Sequence, residues 1–439
     1  MSESLEAGRL RRELGIFGAT MLGLGSMIGT GVFVSIGIAA SVTGASVILA
    51  IGLAALVAAC NALSSAQLAA SHAVAGGTYE YGYRYLNPTL GFSAGWLFLI
   101  AKSASAATAA LGFAGYALRL AGVDLVWMPV LAVATVVVFV VLVLTGIKRS
   151  SHANTIIVAV TLLALGALVA LGLPQVLGER SANLLPIAPA SGAGGAQAFL
   201  YATALMFVAY TGYGRVATLG EEVIEPRRTI PRAIILTMAI TAIVYVLVAL
   251  VAVGAGGARA FAGSSEAMAT PLELAARSLS GAPLAAIVAI GATTAMLGVL
   301  LNLLLGLSRV VLAMGRQGDL PPVFGKVSGD GRAPTAAVVL VGGGTAILAA
   351  VGSVETAWAF SAFTVLLYYA ITNLAALKMP KEARLYPRWI AVAGLIACLF
   401  LAFWVPVGIW AAGLGLIGVG LVWRRLTRRL WINTKGVNP

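Results

Sequence analysis

The first apolar segment contains GLGSMIGTGVF, residues 23–33, and four of these eleven residues are glycine: Gly23, Gly25, Gly29 and Gly31. Glycine weakens a helix interior, so its density here calls for a reason. Inside a bilayer every main-chain N–H and C=O needs a partner, and irregular backbone survives only where it lines a cavity or is buried in protein. A broken first helix beside a cavity is one reading. Close packing of an unbroken helix is the other, because small residues at these spacings let a neighbouring helix approach.

Composition places the segment in a membrane. Of 439 residues, 60% are hydrophobic and 10% charged, against roughly 25% charged in a soluble domain. Between Glu13 and Glu80 there is no Asp, Glu, Lys or Arg across 66 residues, and about 20 apolar residues suffice to cross the hydrocarbon as a helix. That stretch holds two spans. Over the whole chain the apolar runs predict an all-α integral membrane protein of twelve spans, at 14–40, 44–71, 89–118, 126–146, 153–173, 194–218, 231–255, 284–313, 334–352, 355–377, 388–405 and 407–423.

The net charge of +13 does not mark a nucleic-acid surface, because the basic residues punctuate the ends of apolar runs. With the amino terminus inside, 21 of the 28 Lys and Arg fall on the cytoplasmic side, four fall outside, and Lys102, Arg215 and Arg309 lie within spans. This asymmetry puts both termini in the cytoplasm. The first apolar run is too long for a secretory signal and continues through a second span, so it is retained as a helix. Cys60 and Cys398 both fall within spans, far apart in sequence, and imply neither a disulfide nor a metal framework.

A second interruption, FVAYTGYGR at 207–215, breaks the sixth span with Thr211, Gly212 and Gly214, five spans after the first. Paired interrupted helices in matching positions of two halves point to a secondary transporter built of inverted repeats, with its substrate near the midplane. The expected organisation is a cytoplasmic segment 1–13, a first repeat 14–173, a second repeat 194–377, two further helices within 388–423 and a basic cytoplasmic tail 424–439.

The first-span GLGSMIGTGVFV, the GGTYEY after span two, the LGFSAGW entering span three, the EEVIEPRRTIPRAI after span six and the SRVVLAMGRQGDLPPVFGKV after span eight resemble the amino acid-polyamine-organocation superfamily. The likeness is specifically to its bacterial amino acid permeases, and it runs over essentially the whole chain. It implies the leucine-transporter-like five-plus-five fold with helices 1 and 6 broken. It also implies alternating access in the bacterial cytoplasmic membrane, with an amino acid and the lipid bilayer as partners and no cofactor beyond a coupling ion, sodium or a proton. By this resemblance the N–H groups around Ile28, Gly29, Thr30 and Gly31, with Ser26 nearby, hold the substrate carboxylate. Carbonyls freed near Phe207, Ala209 and Tyr210, beside Thr211, receive the ammonium. Phe207 and Tyr210 double as an aromatic gate or serve in packing.

Specificity and coupling are argued from what is present and absent. Apart from Glu355 at the very start of span ten, no Asp or Glu lies within spans one, three, six, eight or ten, so a cationic substrate side chain lacks a partner in a dry site. A small or medium neutral amino acid is the simplest expectation, with an acidic one as the alternative. Lys102, in AKSASAATAALG of span three, is an ionisable residue at membrane depth. It snorkels to the surface, stabilises carbonyls, or takes part in the pocket or in proton coupling. Many relatives carry a Lys in span five where this chain reads IIVAVTLLALG, with Thr161 at the matching place. Thr293 and Thr294, with carbonyls near Gly25 and Ile28, form the candidate sodium site, the alternative being hydroxyls bonded back to their own helix. Arg215 and Arg309 are expected to pair with Glu221, Glu222 or Glu225. His72 and His152 read as interfacial polar residues. A channel or sensor of the same fold is the competing class; a membrane enzyme lacks a cluster of catalytic groups at depth.

Overall fold

The computed structural model describes residues 14–72, 76–145, 151–218, 223–257, 270–327 and 334–435. The amino-terminal segment 1–13 and the last four residues of the tail lie outside this set. The described residues are helical apart from turns, short linkers and one isolated bridge, Leu14 to Val223. Among the described residues ten helices are long and apolar enough to cross a membrane, and two shorter apolar helices, Thr335–Val351 and Arg388–Ala402, stand where spans nine and eleven are expected.

Helix ends follow local chemistry. Span three, Pro88–Ala121, begins with the Asn87 side chain accepting the N–H of Leu90 at 2.9 Å, and it ends on Gly122 in the left-handed region at φ 68°. Span ten, Val354–Lys378, begins with Ser353 capping the N–H of Thr356 at 3.0 Å. The long helix Pro271–Arg316 contains a real break. Ser280 and Gly281 are non-helical, Gly281 at φ 72°, with Pro283 just beyond, so a short separate helix precedes span eight.

Burial separates the centre of the bundle from its shell. In spans one and three 72% of the apolar window is buried by protein and in span ten 78%, against 22% in span four, 33% in span five and 17% in span twelve. The latter three expose large aliphatic residues such as Val138, Leu163 and Val419, which is the surface lipid solvates. Span three packs on spans eight and ten, and span one on spans five, seven and eight. Spans one, three, six, eight and ten therefore enclose the space in which polar groups can meet.

At the basic end a small helix, Thr78–Tyr85, carries the side chains that tie the loops together. Buried Asp319 accepts from Tyr79 Oη at 2.9 Å and Tyr83 Oη at 2.5 Å and lies 3.6 Å from Arg424 Nε. Arg424 in turn donates to Thr89 Oγ1 at 2.7 Å. Burial and the Asp319 carboxylate push the Tyr83 phenol up to about 12, so it remains a donor at neutral pH.

Candidate functional site

The two interruptions are different structures. The first helix runs Ile16–Met27, stops at Ile28 (φ −83°, ψ 89°) and Gly29 (φ −168°, ψ −118°), and resumes as Thr30–Phe33 and Ser35–Thr43. Among the described residues, the N–H groups of Gly29, Thr30 and Gly31 have no main-chain acceptor, whereas Val32 and Phe33 bond to the Gly29 carbonyl at 3.1 Å. Three adjacent donors are thus released at membrane depth. The sixth span runs Ala193–Tyr210 and resumes as Tyr213–Ala217. Its interruption is a tightening rather than an unwinding: Thr211 N bonds to Val208 O at 3.0 Å, Gly214 N to Thr211 O at 3.3 Å and Arg215 N to Gly212 O at 3.0 Å, all of three-residue reach.

The interruptions touch. A Cβ added to Gly212 would lie 2.5 Å from the Ser26 carbonyl oxygen, so only glycine lets the two backbones meet there. Tyr245 of span seven, Pro226–Gly256, closes the join. Its hydroxyl lies 2.6 Å from the Met27 carbonyl and 3.1 Å from the Ala209 carbonyl. Its single proton is shared between an oxygen freed by the first interruption and one freed by the second. Nothing in the periodicity of span seven distinguishes this tyrosine from a core aromatic; the sequence reasoning missed it.

From this join a cavity of about 630 Å³ extends to the basic end of the bundle. Its deep wall carries Ser26, Thr30, Gly31, Ala209, Thr211, Lys102, Asn302 and Trp358, and its mouth carries Glu80, Arg215, Arg309, Arg316 and Gln317. Burial raises the Glu80 carboxyl, partly offset by its hydrogen bond with Gln317. Among the described residues, the other end of the bundle is closed by side-chain bonds. Tyr116 Oη donates to the Phe33 carbonyl at 2.8 Å and accepts from Leu272 N at 3.3 Å. Buried Glu273 binds Arg277 at 2.6 Å and lies 3.6 Å from Arg119.

Of the residues singled out in the sequence, Ser26, Thr30, Gly31, Ala209 and Thr211 line the cavity, as does Lys102. Ile28 and Gly29 form the bend behind its wall. Phe207 and Tyr210 are wholly buried and do not line it: Phe207 packs edge-on against Tyr369, and Tyr210 packs against Tyr245. The aromatic groups on the wall are Phe98, Trp358 and Tyr369. Trp358 Nε1 donates to the Leu205 carbonyl at 3.0 Å and Tyr369 Oη to the Thr211 carbonyl at 3.2 Å, so both brace the sixth span.

Lys102 does not snorkel. It is 8% exposed, and its ammonium donates to Thr211 Oγ1 at 2.8 Å. Thr211 Oγ1 in turn donates a hydrogen bond to the Val208 carbonyl at 2.7 Å. Thr161, Thr293 and Thr294 each donate to a carbonyl of their own helix: Thr161 to Ile157 at 2.7 Å, Thr293 to Ala289 at 2.9 Å and Thr294 to Ile290 at 2.7 Å. Gly25 packs against the Asn154 side chain, whose amide donates to the Met21 carbonyl at 2.8 Å. Glu225 lies 3.6 Å from Arg228, while Glu221 and Glu222 lie outside the described residues. The side chain of His152 also lies outside them, and burial together with the Arg84 charge lowers the His72 imidazole.

Comparison with known proteins agrees with this geometry. The family model described as amino acid permease matches residues 18–429. An uncharacterized transporter of Mycobacterium tuberculosis is 41% identical over 427 residues, covering 96% of this chain and 93% of its own. The branched-chain amino acid permease BcaP of Bacillus subtilis is 28% identical over 428 residues, with 91% and 90% covered. A methylthioribose transporter of Bacillus subtilis is 26% identical over 351 residues, with 76% and 74% covered. With its helices, its cavity and a match over nearly its whole length, the chain belongs to the amino acid permease family of multi-pass membrane transporters, and it is not an enzyme.

Proposed function

We propose that this chain is a secondary active transporter that moves amino acids across the bacterial cytoplasmic membrane by alternating access. In this reading it has twelve spans, the first ten forming two inverted repeats, and both termini are cytoplasmic. Spans one and six belong to a bundle that rocks against the scaffold. The conformation described is open to the cytoplasm, since the cavity mouth lies at the end that carries the basic loops.

The observation that carries the reading is the dead end of the cavity on Thr30 and Gly31, whose main-chain N–H groups are unspent, with that of Gly29 just behind them at the first interruption. Such donors, at the start of a resumed helix, suit a carboxylate. The carbonyls at the sixth interruption supply the acceptor side for an ammonium; Ala209 lends one lone pair to Tyr245 and keeps another. The deep wall carries no carboxylate, so a cationic side chain gains no counter-charge there. The substrates are therefore amino acids with neutral or acidic side chains. No covalent chemistry is required.

Coupling is assigned to a proton or sodium ion, or to the counter-substrate in exchange. The threonine hydroxyls of span eight already donate into their own helix, which leaves only their lone pairs for a cation. Uptake of a panel of radiolabelled amino acids into proteoliposomes, with sodium and pH gradients imposed separately, tests the reading. Saturable uptake with trans-stimulation is expected. Unsaturable conductance would favour a channel, and binding without uptake a sensor.

A further inference from the structure

Three side chains on the deep wall hold hydrogen-bonding capacity that the protein does not use. Asn302 of span eight is 5% exposed, and neither its Oδ1 nor its Nδ2 has a partner among the described residues. Thr30 is 3% exposed with its hydroxyl unpartnered. Lys102 spends one of its three N–H donors on Thr211 Oγ1. Buried polar groups without partners are costly, so each of these is a place where a ligand is expected to bond.

Their balance is lopsided. Lys102 and Asn302 together offer four spare N–H donors against one amide oxygen, beside the main-chain donors already assigned to the substrate α-carboxylate. No carboxylate lies within ion-pairing distance of Lys102 among the described residues, and the nearest acid on the cavity wall, Glu80, stands in the mouth beside Arg309 and Arg316. A zwitterion of zero net charge leaves the buried Lys102 ammonium uncompensated at membrane depth once the cavity closes over it, which is a large electrostatic cost. A substrate that brings one further negative charge removes it.

We propose that Lys102 and Asn302 form a second anion subsite, and that the preferred substrate is an amino acid whose side chain ends in a carboxylate. The α-carboxylate takes the free N–H groups of the first interruption, and the side-chain carboxylate accepts from Lys102 Nζ and Asn302 Nδ2. Thr211, by holding Lys102 across from the sixth span, sets the position of that subsite relative to the ammonium acceptors. This inference rests on the amino acid carrier reading and narrows its substrate class.

The test is uptake and equilibrium binding of radiolabelled L-glutamate, L-aspartate, L-alanine and L-leucine by the full-length protein, with its monodispersity in detergent checked. The wild type is expected to prefer a dicarboxylate over both neutral amino acids by at least about tenfold, the size of one charge-assisted bond. Lys102→Gln and the nearly isosteric Asn302→Asp should each lower that ratio by about tenfold or more, because one removes the counter-charge and the other opposes it. Lys102→Arg should retain the preference. Uptake of neutral amino acids without competition by dicarboxylates, or equal losses for both classes in the variants, would overturn the subsite and leave the carrier reading standing. Absence of binding and uptake for every amino acid would overturn both.

Discussion

The first and sixth spans are interrupted at matching places, yet the interruptions do opposite work. The first leaves the helical ladder entirely and exposes consecutive donors at Gly29, Thr30 and Gly31; the sixth keeps short three-residue bonds through Thr211 and Gly212 and stays nearly continuous. One leaves its donors open. The other is a compact join, braced by Tyr369, Trp358 and Lys102 and pressed against the Ser26 carbonyl. The difference teaches that glycine in the two spans serves distinct ends: at Gly29 it accompanies unwinding, whereas at Gly212 it permits contact between backbones.

The largest expected effect comes from forcing the interruptions apart. Gly212→Val places side-chain carbon against main-chain oxygen, which cannot rotate away, and should reduce uptake by about a hundredfold or more while the protein still reaches the membrane. Gly29→Leu is expected to be nearly as severe for a different reason. Its Cβ meets the Val299 side chain, which can yield, but the larger group covers the free donors. Saturation binding separates the two: Gly29→Leu should lose affinity for the amino acid, and Gly212→Val should lose transport at any concentration.

Tyr245→Phe sharpens the comparison at intermediate size. It leaves the ring packed against Tyr210 but removes the shared proton from the Met27 and Ala209 carbonyls, a loss of about 1–3 kcal/mol for stranded buried acceptors. Apparent affinity should fall about tenfold, with thermal stability of the purified protein lowered as well. If Tyr245→Phe transports with unchanged affinity, the join between the interruptions is not part of the site.

Much of this arrangement is legible in the chain, and the remainder is hidden for a physical reason. The apolar runs locate most spans to within a few residues, because hydrocarbon thickness fixes their length, whereas the last helix, Val407–Lys435, runs on through most of the basic tail expected to begin at 424. Glycines flag both interruptions. Ser26, Thr30, Gly31, Ala209 and Thr211 reach the cavity because main-chain position alone decides their place. Phe207 and Tyr210 differ from the expected gate, since which face of a helix turns inward at an interruption depends on how far the turn is overwound, and sequence period does not carry that. Tyr245, Asn302 and Trp358 escape notice in the sequence because nothing in the helical period separates them from the other polar and aromatic residues of their helices. Only the packing of several helices shows which of these meets a freed carbonyl or an open space. The two glycine readings left open by the sequence both describe the molecule, since the residues that border the unwound turn also pack tightly, Gly25 on Asn154 and Gly31 on Tyr245.

At the closed end, Tyr116→Phe should have a modest effect. It removes the hydroxyl's bonds to the Phe33 carbonyl and from the Leu272 N–H, each worth about 0.5–1.5 kcal/mol, and should shift the population toward the opposite-facing state. The readout is increased modification of an introduced cysteine near Phe33 from the outer face. The smallest effect is expected from Thr293→Ala, whose hydroxyl bonds within its own helix; uptake in potassium buffer should change less than about twofold. A steep loss confined to sodium buffer would instead give that hydroxyl a ligand's role.

The central claim is that unspent main-chain donors at the first interruption grip a carboxylate. It is tested most directly by alkylating Ser26→Cys, in a background lacking Cys60 and Cys398, from the cytoplasmic face of inverted vesicles. A transported amino acid should protect the introduced thiol, and the corresponding amine, identical but for the missing carboxylate, should not. Equal protection by the amine, or a thiol that the reagent never reaches from that face, would contradict the account.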